Sequence, residues 1–526
     1  MTAKARWRAF AAVALVVGAL PLAVCRPAPF VDWPNHLARV FIDLALLRGD
    51  PFWSHFYTIN PHPVPNEALD LAVGGLAWAG LSVDAAGTLF LLAAYAVFAG
   101  GLAAFSRALG AGGRGRALLG ALLFSTGPLM YGLVNYVAGL GLALWLLAAW
   151  LRGGPRWRWL LMLGGTALLF YVHLFAAAVF VLVGLCFELW TWRRSGLRRV
   201  LGRASAVGGG AVFLALLLLS QVSGESLPDA SGDNVFWMGQ PSPFGVLRWK
   251  LALFVRQFTD HASLTVGVVT WLALVGLAAL ALTRGRPRIA APVAMAGGVL
   301  LAGVLVLPES AGTGSLLDYR LVLPLLALGA AALRLDWQTG AARRIAFALI
   351  ASLLTLRGAS FAASFAHEQA VYRAFDAAVL ALPRGSILLT ARGRTDAEIS
   401  PQEWWGPPTE HLSTRAVRFG LLVPTVFAVA SQQPIVLRSS LDPWRHEWRI
   451  ADAAEFDAAM TDVEPLCRAA RGQGRDVFLF VAYPGSSLDG ADPSAVVVAT
   501  GAFRILDACR LPRVAGFAMG GEGARQ

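Results

Sequence analysis

The segment 29–39 brings together residue types that do acid–base and anion-binding chemistry. If a helix begins near Asn35, its first turn carries His36 and Arg39 on one face, because they are three residues apart. Asp32 lies just before that helix, where a carboxylate could take a proton from a hydroxyl group or hold a divalent cation. An arginine could bind an anionic head group with two hydrogen bonds. We therefore predict catalytic roles for Asp32 and His36 and phosphate binding by Arg39; the ordinary alternative is a helix cap with an aromatic–arginine interface anchor.

A second group of candidates lies in the proline-stiffened segment 60–67. His62 and Glu67 could reach inward from this segment and line a substrate site. The ordinary alternative is an interfacial loop whose neighbouring aromatic residues form a belt at the membrane surface. His36, His55 and His62 have no fixed ligand spacing, so no transition-metal site is predicted there.

Further polar residues interrupt apolar stretches close to the predicted membrane surface. His173 splits the apolar stretch 160–192 and marks a hairpin turn, where a titrating group is a functional candidate. Arg320 begins an apolar segment and, like His173, is predicted to bind a lipid phosphate. Asn135 and Tyr136, at the preceding outer turn, are predicted to line the substrate site. The alternatives are a hydrogen-bonded hairpin histidine and an arginine that snorkels or pairs with the aspartate two residues before it.

The elements that must position these residues are membrane helices. The 526 residues are 57% hydrophobic and 14% charged, with a mean hydropathy of +0.60, whereas a soluble protein is about a quarter charged. The net charge of +12 belongs to the apolar part: residues 1–364 carry 28 basic and 14 acidic side chains, and residues 365–526 carry 16 and 18. Basic residues in short loops between apolar segments set membrane orientation, so this charge does not indicate a nucleic-acid-binding protein.

Apolar segments of nearly the length that crosses a bilayer predict eleven membrane spans. In chain order they are 7–24, 86–106, 117–133, 136–151, 158–171, 174–192, 204–222, 264–283, 289–307, 321–334 and 345–364. The apolar segment 69–82 is short and is predicted to lie in the interface or to re-enter the membrane. The first span has the basic start of a signal peptide, but no small-residue cleavage site follows it, so we interpret it as an uncleaved helix.

The distribution of basic residues predicts the orientation. With the N-terminus in the cytoplasm, the inner loops carry 20 basic residues and the outer loops carry 7. This predicts a multi-pass protein of the bacterial inner (cytoplasmic) membrane, with a transmembrane domain over 1–364 and outer loops at 26–68 and 223–263. Residues 365–526 then lie outside, and all eight histidines lie outside or at the outer membrane edge.

Residues 365–526 have the composition of a soluble domain. Helices are predicted at 367–382 and 452–471, and short apolar strands at 386–390, 435–438, 476–482, 495–499 and 503–507. Strands separated by helices predict a small extracytoplasmic α/β domain. In an oxidising compartment Cys467 and Cys509 could form a disulfide, and the sequence leaves this open.

This order of elements resembles the bacterial integral-membrane glycosyltransferases of the C-class (GT-C) fold. The shared features are a first span, a long outer loop with an early aspartate, many short spans and a trailing outer α/β domain. Asp32, within Asp-Trp-Pro-Asn-His-Leu-Ala-Arg, occupies the place of the family's first-loop acidic motif. The segments 134–136 and 171–173 resemble recurring turns of bacterial members. Many members have two acids close together, whereas here no second acid follows Asp32 before Asp43.

The resemblance implies transfer of a sugar from a polyprenyl-phosphate-linked donor to a glycan, lipid or protein acceptor at the outer face of the membrane. Asp32 would act as base on the acceptor hydroxyl, and direct displacement would invert the anomeric carbon. Trp404, Trp405, Trp444 and Trp448 could read the acceptor, or could be core or interface residues. A lipid or glycan transporter and a non-catalytic membrane assembly protein are the alternative functions, although the spans lack the internal repeat typical of a transporter. The sequence assigns no definite cofactor and leaves open a divalent metal, which Asp32 would hold.

Overall fold

The computed structural model describes residues 3–111, 115–195, 207–216, 235–236, 242–259, 263–285, 287–311, 315–334, 339–393, 407, 409–428, 432–438, 444–445, 447–450, 453–482 and 493–511. Its helices are α1 (Ala3–Val24), α2 (Trp33–Leu47), α3 (Pro51–Phe56), α4 (Ala68–Trp78), α5 (Val83–Ala108), α6 (Arg116–Phe124), α7 (Gly127–Met130), α8 (Val134–Arg152), α9 (Pro155–Val172), α10 (Leu174–Ser195), α11 (Val207–Leu216), α12 (Pro243–Thr259), α13 (Leu264–Arg284), α14 (Ala291–Val306), α15 (Leu317–Ala332), α16 (Gly340–Leu380) and α17 (Ala453–Gly472). Its strands are β1 (Tyr57–Ile59), β2 (Val235–Phe236), β3 (Arg288–Ile289), β4 (Ser310–Ala311), β5 (Leu333–Arg334), β6 (Ile387–Arg392), β7 (Ile435–Leu437), β8 (Trp448–Arg449), β9 (Val477–Ala482), β10 (Val496–Ala499) and β11 (Phe503–Asp507).

The chain divides into two compact units. The first unit consists of Met1–Phe30, Asn60–His367 and Val429–Pro434. The second consists of Val31–Ile59, Glu368–Ala428 and Ile435–Gln526. The segment that carries Asp32 therefore folds with the C-terminal part of the chain.

The first unit is built from apolar helices. In the described part of the chain, five helices are long and apolar enough to cross a membrane: Val83–Ala108, Val134–Arg152, Leu174–Thr191, Leu264–Arg284 and Gly340–Leu380. Helices α5 and α8 approach closely, since a Cβ added at Gly101 would collide with the carbonyl oxygen of Gly141. The chain is a polytopic α-helical membrane protein, as predicted.

The predicted span 117–133 is not one helix. Helix α6 ends at Phe124, and the short α7 begins at Gly127. The break follows from the sequence, because glycine is a poor helix former and the Pro128 nitrogen cannot donate the hydrogen bond of a continuing helix. The carbonyl oxygen of Ser125, left free at the end of α6, accepts a hydrogen bond of 2.5 Å from the buried Arg357.

Two other predicted segments have a different secondary structure. Part of the predicted outer loop 223–263 is the helix α12, which packs against α13 and α15. Basic residues interrupt its apolar sequence, which is why hydropathy alone does not mark it as a helix. The predicted span 345–364 and the predicted helix 367–382 form the single 41-residue helix α16, because no glycine or proline separates them.

The second unit is an α/β domain, as predicted. Its five-stranded sheet has the order β10-β11-β9-β6-β8; β6 runs parallel to β9 and β8, and β11 is antiparallel to β9 and β10. Strand β9 is buried along its whole length, as its entirely apolar sequence requires. The predicted strand at 435–438 instead pairs with β1. Cys467 and Cys509 form a disulfide with a Cα–Cα distance of 5.6 Å, which answers the question that the sequence leaves open.

Candidate functional site

Asp32 lies in the second unit, immediately before helix α2. It occupies the N-cap position, but its side chain makes no capping hydrogen bond, so the helix-cap alternative does not explain this carboxylate. Instead, Asp32 Oδ1 lies 3.3 Å from His411 Nε2. The two side chains are 24% and 23% exposed, so the pair is shielded but can still be reached from solvent.

A buried amide holds α2 against the segment that follows the 3-10 helix Leu412–Phe419. The Asn35 side chain donates to the carbonyl oxygen of Thr425 (3.1 Å) and accepts from the backbone N–H of Phe427 (2.6 Å). These two hydrogen bonds place the Phe427 ring edge-on to two histidines. Its centroid lies 5.8 Å from that of the predicted His36 and 5.2 Å from that of His411, which is not predicted. The predicted catalytic pair Asp32 and His36 is thus joined by a second histidine.

Three more charged side chains surround His411. Glu410 Oε1 lies 3.5 Å from Arg392 Nη1, at the end of β6. Glu447 lies just before β8, the strand next to β6. Burial and the neighbouring Glu410 carboxylate together raise the pKa of Glu447 to about 8. Burial also raises the pKa of Glu410, although the charges of Arg392 and His411 oppose this rise.

The surroundings of His411 favour its charged form. Burial alone lowers the pKa of this imidazole. The hydrogen bond to Asp32 and the negative charges of Asp32, Glu410 and Glu447 act in the opposite direction and prevail, so the pKa of His411 is raised above its ordinary value of 6.5. The contact with Asp32 is therefore one in which the imidazolium form of His411 is favoured.

Arg39, the predicted phosphate ligand on α2, is fully buried. His36, three residues before it, is half-buried against Phe427. Of the three predicted residues of the segment, Asp32 and His36 are thus partly accessible, and Arg39 is enclosed. Its role as a phosphate ligand stays a prediction.

A second cluster of predicted residues lies in the first unit. The buried Tyr136 hydroxyl donates to the carbonyl oxygen of Arg320, and its ring centroid lies 5.1 Å from that of His173. His173 Nδ1 accepts a hydrogen bond of 3.1 Å from the backbone N–H of Phe175. The guanidinium of Arg320 lies 5.4 Å from the centroid of the Phe175 ring. The structure therefore brings together His173 and Arg320, both predicted to bind a lipid phosphate, and Tyr136, predicted to line the substrate site.

The remaining predicted lining residues lie elsewhere in the first unit. The Asn135 side chain donates a hydrogen bond of 2.6 Å to the carbonyl oxygen of Asn66, which places Glu67 next to this turn. Glu67 precedes α4, and burial raises its pKa. His62 is exposed, so it does not share this enclosed position.

The aspartate near Arg320 has another partner. Asp318 Oδ2 lies 2.5 Å from Lys250 Nζ, and both side chains are buried. Lys250 also donates a hydrogen bond of 2.6 Å to the carbonyl oxygen of Leu307. Glu309 is buried beside this pair, and burial, with the negative charge of Asp318, raises its pKa to about 8.

A metal ion has no evident ligand set near Asp32. Among the described residues, no group of three or more His, Cys, Asp or Glu side chains is arranged to hold a metal ion. The described neighbours of Asp32 therefore do not fit a divalent cation, and no step is assigned to one.

The candidate acceptor-binding tryptophans have two outcomes. Trp404 and Trp405 lie outside the described residues. Trp448 is buried in the hydrophobic core of the second unit, and the partly buried Trp444 packs against that core. The Nε1 atoms of Trp448 and Trp444 donate to the Asp462 carboxylate and carbonyl oxygen, at 3.4 and 3.3 Å. Trp444 and Trp448 therefore fit the alternative that the sequence leaves open for them, in which they are core residues and do not bind the acceptor.

The elements and their order define a polytopic membrane protein with the C-class glycosyltransferase fold, as the sequence resemblance predicts. The particular solved structures that it is similar to are two of ArnT from Cupriavidus metallidurans. For the structure bound to undecaprenyl phosphate, the TM-score is 0.52 at 13% identity; for the apo structure it is 0.51 at 15%. Each comparison covers 96% of this chain and 98% of ArnT. No protein-family model matches the chain, and no curated protein sequence matches it.

Proposed function

We propose that the protein is a membrane glycosyltransferase that moves a sugar from a polyprenyl-phosphate-linked donor to an acceptor at the outer face of the membrane. Three observations support this proposal: the C-class fold, the undecaprenyl phosphate bound by ArnT, and the Asp32–His411 pair. The Asp32–His411 pair carries the proposal, because the Asp32 carboxylate is partly exposed and makes no helix-capping hydrogen bond.

The donor phosphate is assigned to the cluster around Arg320. Its guanidinium lies 5.4 Å from the centroid of the Phe175 ring, and the centroid of the His173 ring lies 6.0 Å from the same point. The Tyr136 hydroxyl donates a hydrogen bond to the Arg320 carbonyl oxygen. A cationic side chain stabilises the negative charge that develops on the phosphate as it leaves the sugar. Arg320 is half-buried, so its charge is less screened than it would be in bulk water.

Asp32 is assigned the role of general base. The acceptor hydroxyl gives its proton to the Asp32 carboxylate while its oxygen forms a bond to the anomeric carbon. The bond from that carbon to the phosphate oxygen breaks, and the bonding electrons leave with the polyprenyl phosphate. This direct displacement inverts the anomeric carbon.

The proposed location is the inner membrane of a bacterium, with the N-terminus in the cytoplasm and the second unit outside. The excess of basic residues in the cytoplasmic loops, 20 against 7, supports this orientation. The disulfide between Cys467 and Cys509 supports it as well, because disulfides persist in oxidising compartments.

The test is Asp32→Asn, with Asp50→Asn as the matched control. Asp50 caps α3 through hydrogen bonds to Phe52 and Trp53, and asparagine caps equally well, so the control removes a carboxylate of the same segment without removing a function. Purified protein would be assayed with undecaprenyl-phosphate-linked pentoses and hexoses, labelled in the sugar, and a membrane lipid extract as acceptor.

We expect Asp32→Asn to lower transfer by about 100- to 10,000-fold and Asp50→Asn to leave it unchanged. Full activity of Asp32→Asn would remove this carboxylate from the reaction. Translocation of the labelled lipid across vesicles without sugar transfer would instead support the transporter alternative. Binding without either activity would support an assembly protein.

A further inference from the structure

His411 is the contact partner of the proposed base, and its own position is fixed by three features. It lies at the N-terminal end of the 3-10 helix Leu412–Phe419, where its carbonyl oxygen accepts hydrogen bonds from the backbone N–H and the hydroxyl of Thr414, at 3.1 and 2.7 Å. Ser413, two residues after His411, accepts a hydrogen bond of 2.8 Å from the hydroxyl of Thr390 in β6. The Phe427 ring meets the imidazole edge-on. Because these contacts fix the position of the His411 imidazole, the imidazole can in turn fix the orientation of Asp32.

We infer that His411 is a positioning residue for Asp32: its Nε2 atom, 3.3 Å from Asp32 Oδ1, holds the carboxylate in one orientation, and the neighbouring Glu410 supports this contact. This inference rests on the proposed function, because the orientation matters only if Asp32 accepts a proton.

The charges around the pair explain why the charged form of His411 is favoured. Among the described residues, the charged groups that act on it are Asp32 just before α2, the adjacent Glu410, and Glu447 before β8, while Arg392 at the end of β6 pairs with Glu410. Within this described network, the guanidinium of Arg392 does not by itself balance the three carboxylates. Protonation of His411 and of Glu447 makes the network neutral, and a neutral network costs less to shield from water.

The network predicts how activity depends on pH. The raised pKa of His411 means that the imidazolium persists above pH 6.5 and is lost as the pH rises through the raised value. Transfer by the wild-type protein should therefore decline on the alkaline side. Removing the Glu410 charge destabilises the imidazolium, so the decline should move to lower pH.

The test compares kcat as a function of pH for His411→Gln, Glu410→Gln and the control His55→Gln, an exposed histidine of α3. We expect His411→Gln to lower kcat by about 10- to 100-fold and to abolish the alkaline decline. Glu410→Gln should move the decline to lower pH by about one unit. His55→Gln should match the wild type. An unchanged alkaline decline in His411→Gln would overturn the inference.

A second measurement separates this inference from the proposed function. Tm is measured between pH 5.5 and 9 for the wild type, His411→Gln, Asp32→Asn and the double variant. The raised pKa contributes stability that is present below about pH 6.5 and lost as the pH rises through the folded value. The Tm difference caused by His411→Gln should therefore shrink with rising pH, and it should be small at all pH values with Asp32→Asn.

The outcomes of the two measurements are distinct. If the Tm cycle shows coupling but the wild type transfers no sugar, the proposed function fails while the charged pair stands. If Asp32→Asn abolishes transfer but the Tm cycle shows no coupling, the inference fails while the proposed function stands.

Discussion

The Lys250–Asp318 pair of the first unit and the Asp32–His411 pair of the second join similar groups in different settings. The first has a distance of 2.5 Å, and its side chains are 2% and 0% exposed. The second has a distance of 3.3 Å, and its side chains are 23% and 24% exposed. Lys250 also donates to the carbonyl oxygen of Leu307, so this pair is enclosed and satisfied by its own unit. The Asp32–His411 pair, in contrast, is partly exposed to solvent.

The difference in exposure indicates that the two pairs have different roles, one in stability and the other in chemistry. A buried ion pair is strongly destabilised when one partner is removed, because the other charge is left in a medium that cannot solvate it. A partly exposed pair is solvated by water when one partner is lost, so its removal costs little stability. The first pair should therefore govern folding, and the second should govern activity.

The largest expected effect is on the first pair. Lys250→Met should lower the free energy of unfolding by about 3–5 kcal/mol, because Asp318 stays buried without its cation. Asp32→Asn should change it by about 1 kcal/mol or less. Unfolding of the purified protein in detergent, followed by tryptophan fluorescence, measures both values.

The double variant Lys250→Met with Asp318→Leu is the control for this prediction. It removes both charges and should recover most of the lost stability, since well-packed apolar residues replace a buried pair at little cost. If Lys250→Met is as stable as the wild type, the two pairs do not differ in the way that their exposure indicates.

The next effect concerns donor binding by the cluster in the first unit. Arg320→Ala should raise the KM for an undecaprenyl-phosphate-linked sugar by about 10- to 100-fold, because a charge-assisted contact to phosphate is lost. Arg248→Ala is the matched control, since Arg248 is exposed on α12 of the same unit. Steady-state kinetics with varied donor measures the change; an equal KM in both variants would assign the phosphate to another site.

The sequence predicts the fold well because its signals are local. Runs of apolar residues predict the membrane helices, and the strand at 476–482 is predicted within one residue of β9. The errors have local causes as well. Gly127 and Pro128 break a predicted span, and basic residues hide α12 from a hydropathy scale.

The candidate site is predicted only in part because its contacts are distant in sequence. Asp32 and His36 are recognised from their spacing, but Asn35 meets Phe427 across 392 residues. His411 is predicted only as one of eight histidines on the outer side. Glu410, Glu447 and Arg392 have no sequence signal, since each is an ordinary charged residue near a strand or turn until the sheet brings them together.

The last expected effect, on the pH dependence of Tm, tests whether Glu447 titrates as its buried place near the second pair predicts. The pKa of Glu447 is raised from its ordinary 4.5 to about 8, chiefly by burial. The folded state thus binds this proton more tightly than the unfolded state. The stability that the proton provides is complete below about pH 4.5 and is lost as the pH rises to about 8.

Glu447→Gln does not titrate, so the Tm of this variant should rise relative to that of the wild type between pH 5 and 8 and keep this gain at higher pH. Glu464→Gln on α17 controls for the substitution itself. A constant Tm difference across this range would mean that the pKa of Glu447 is not raised in the folded protein, and the contrast between the two pairs would then rest on exposure alone.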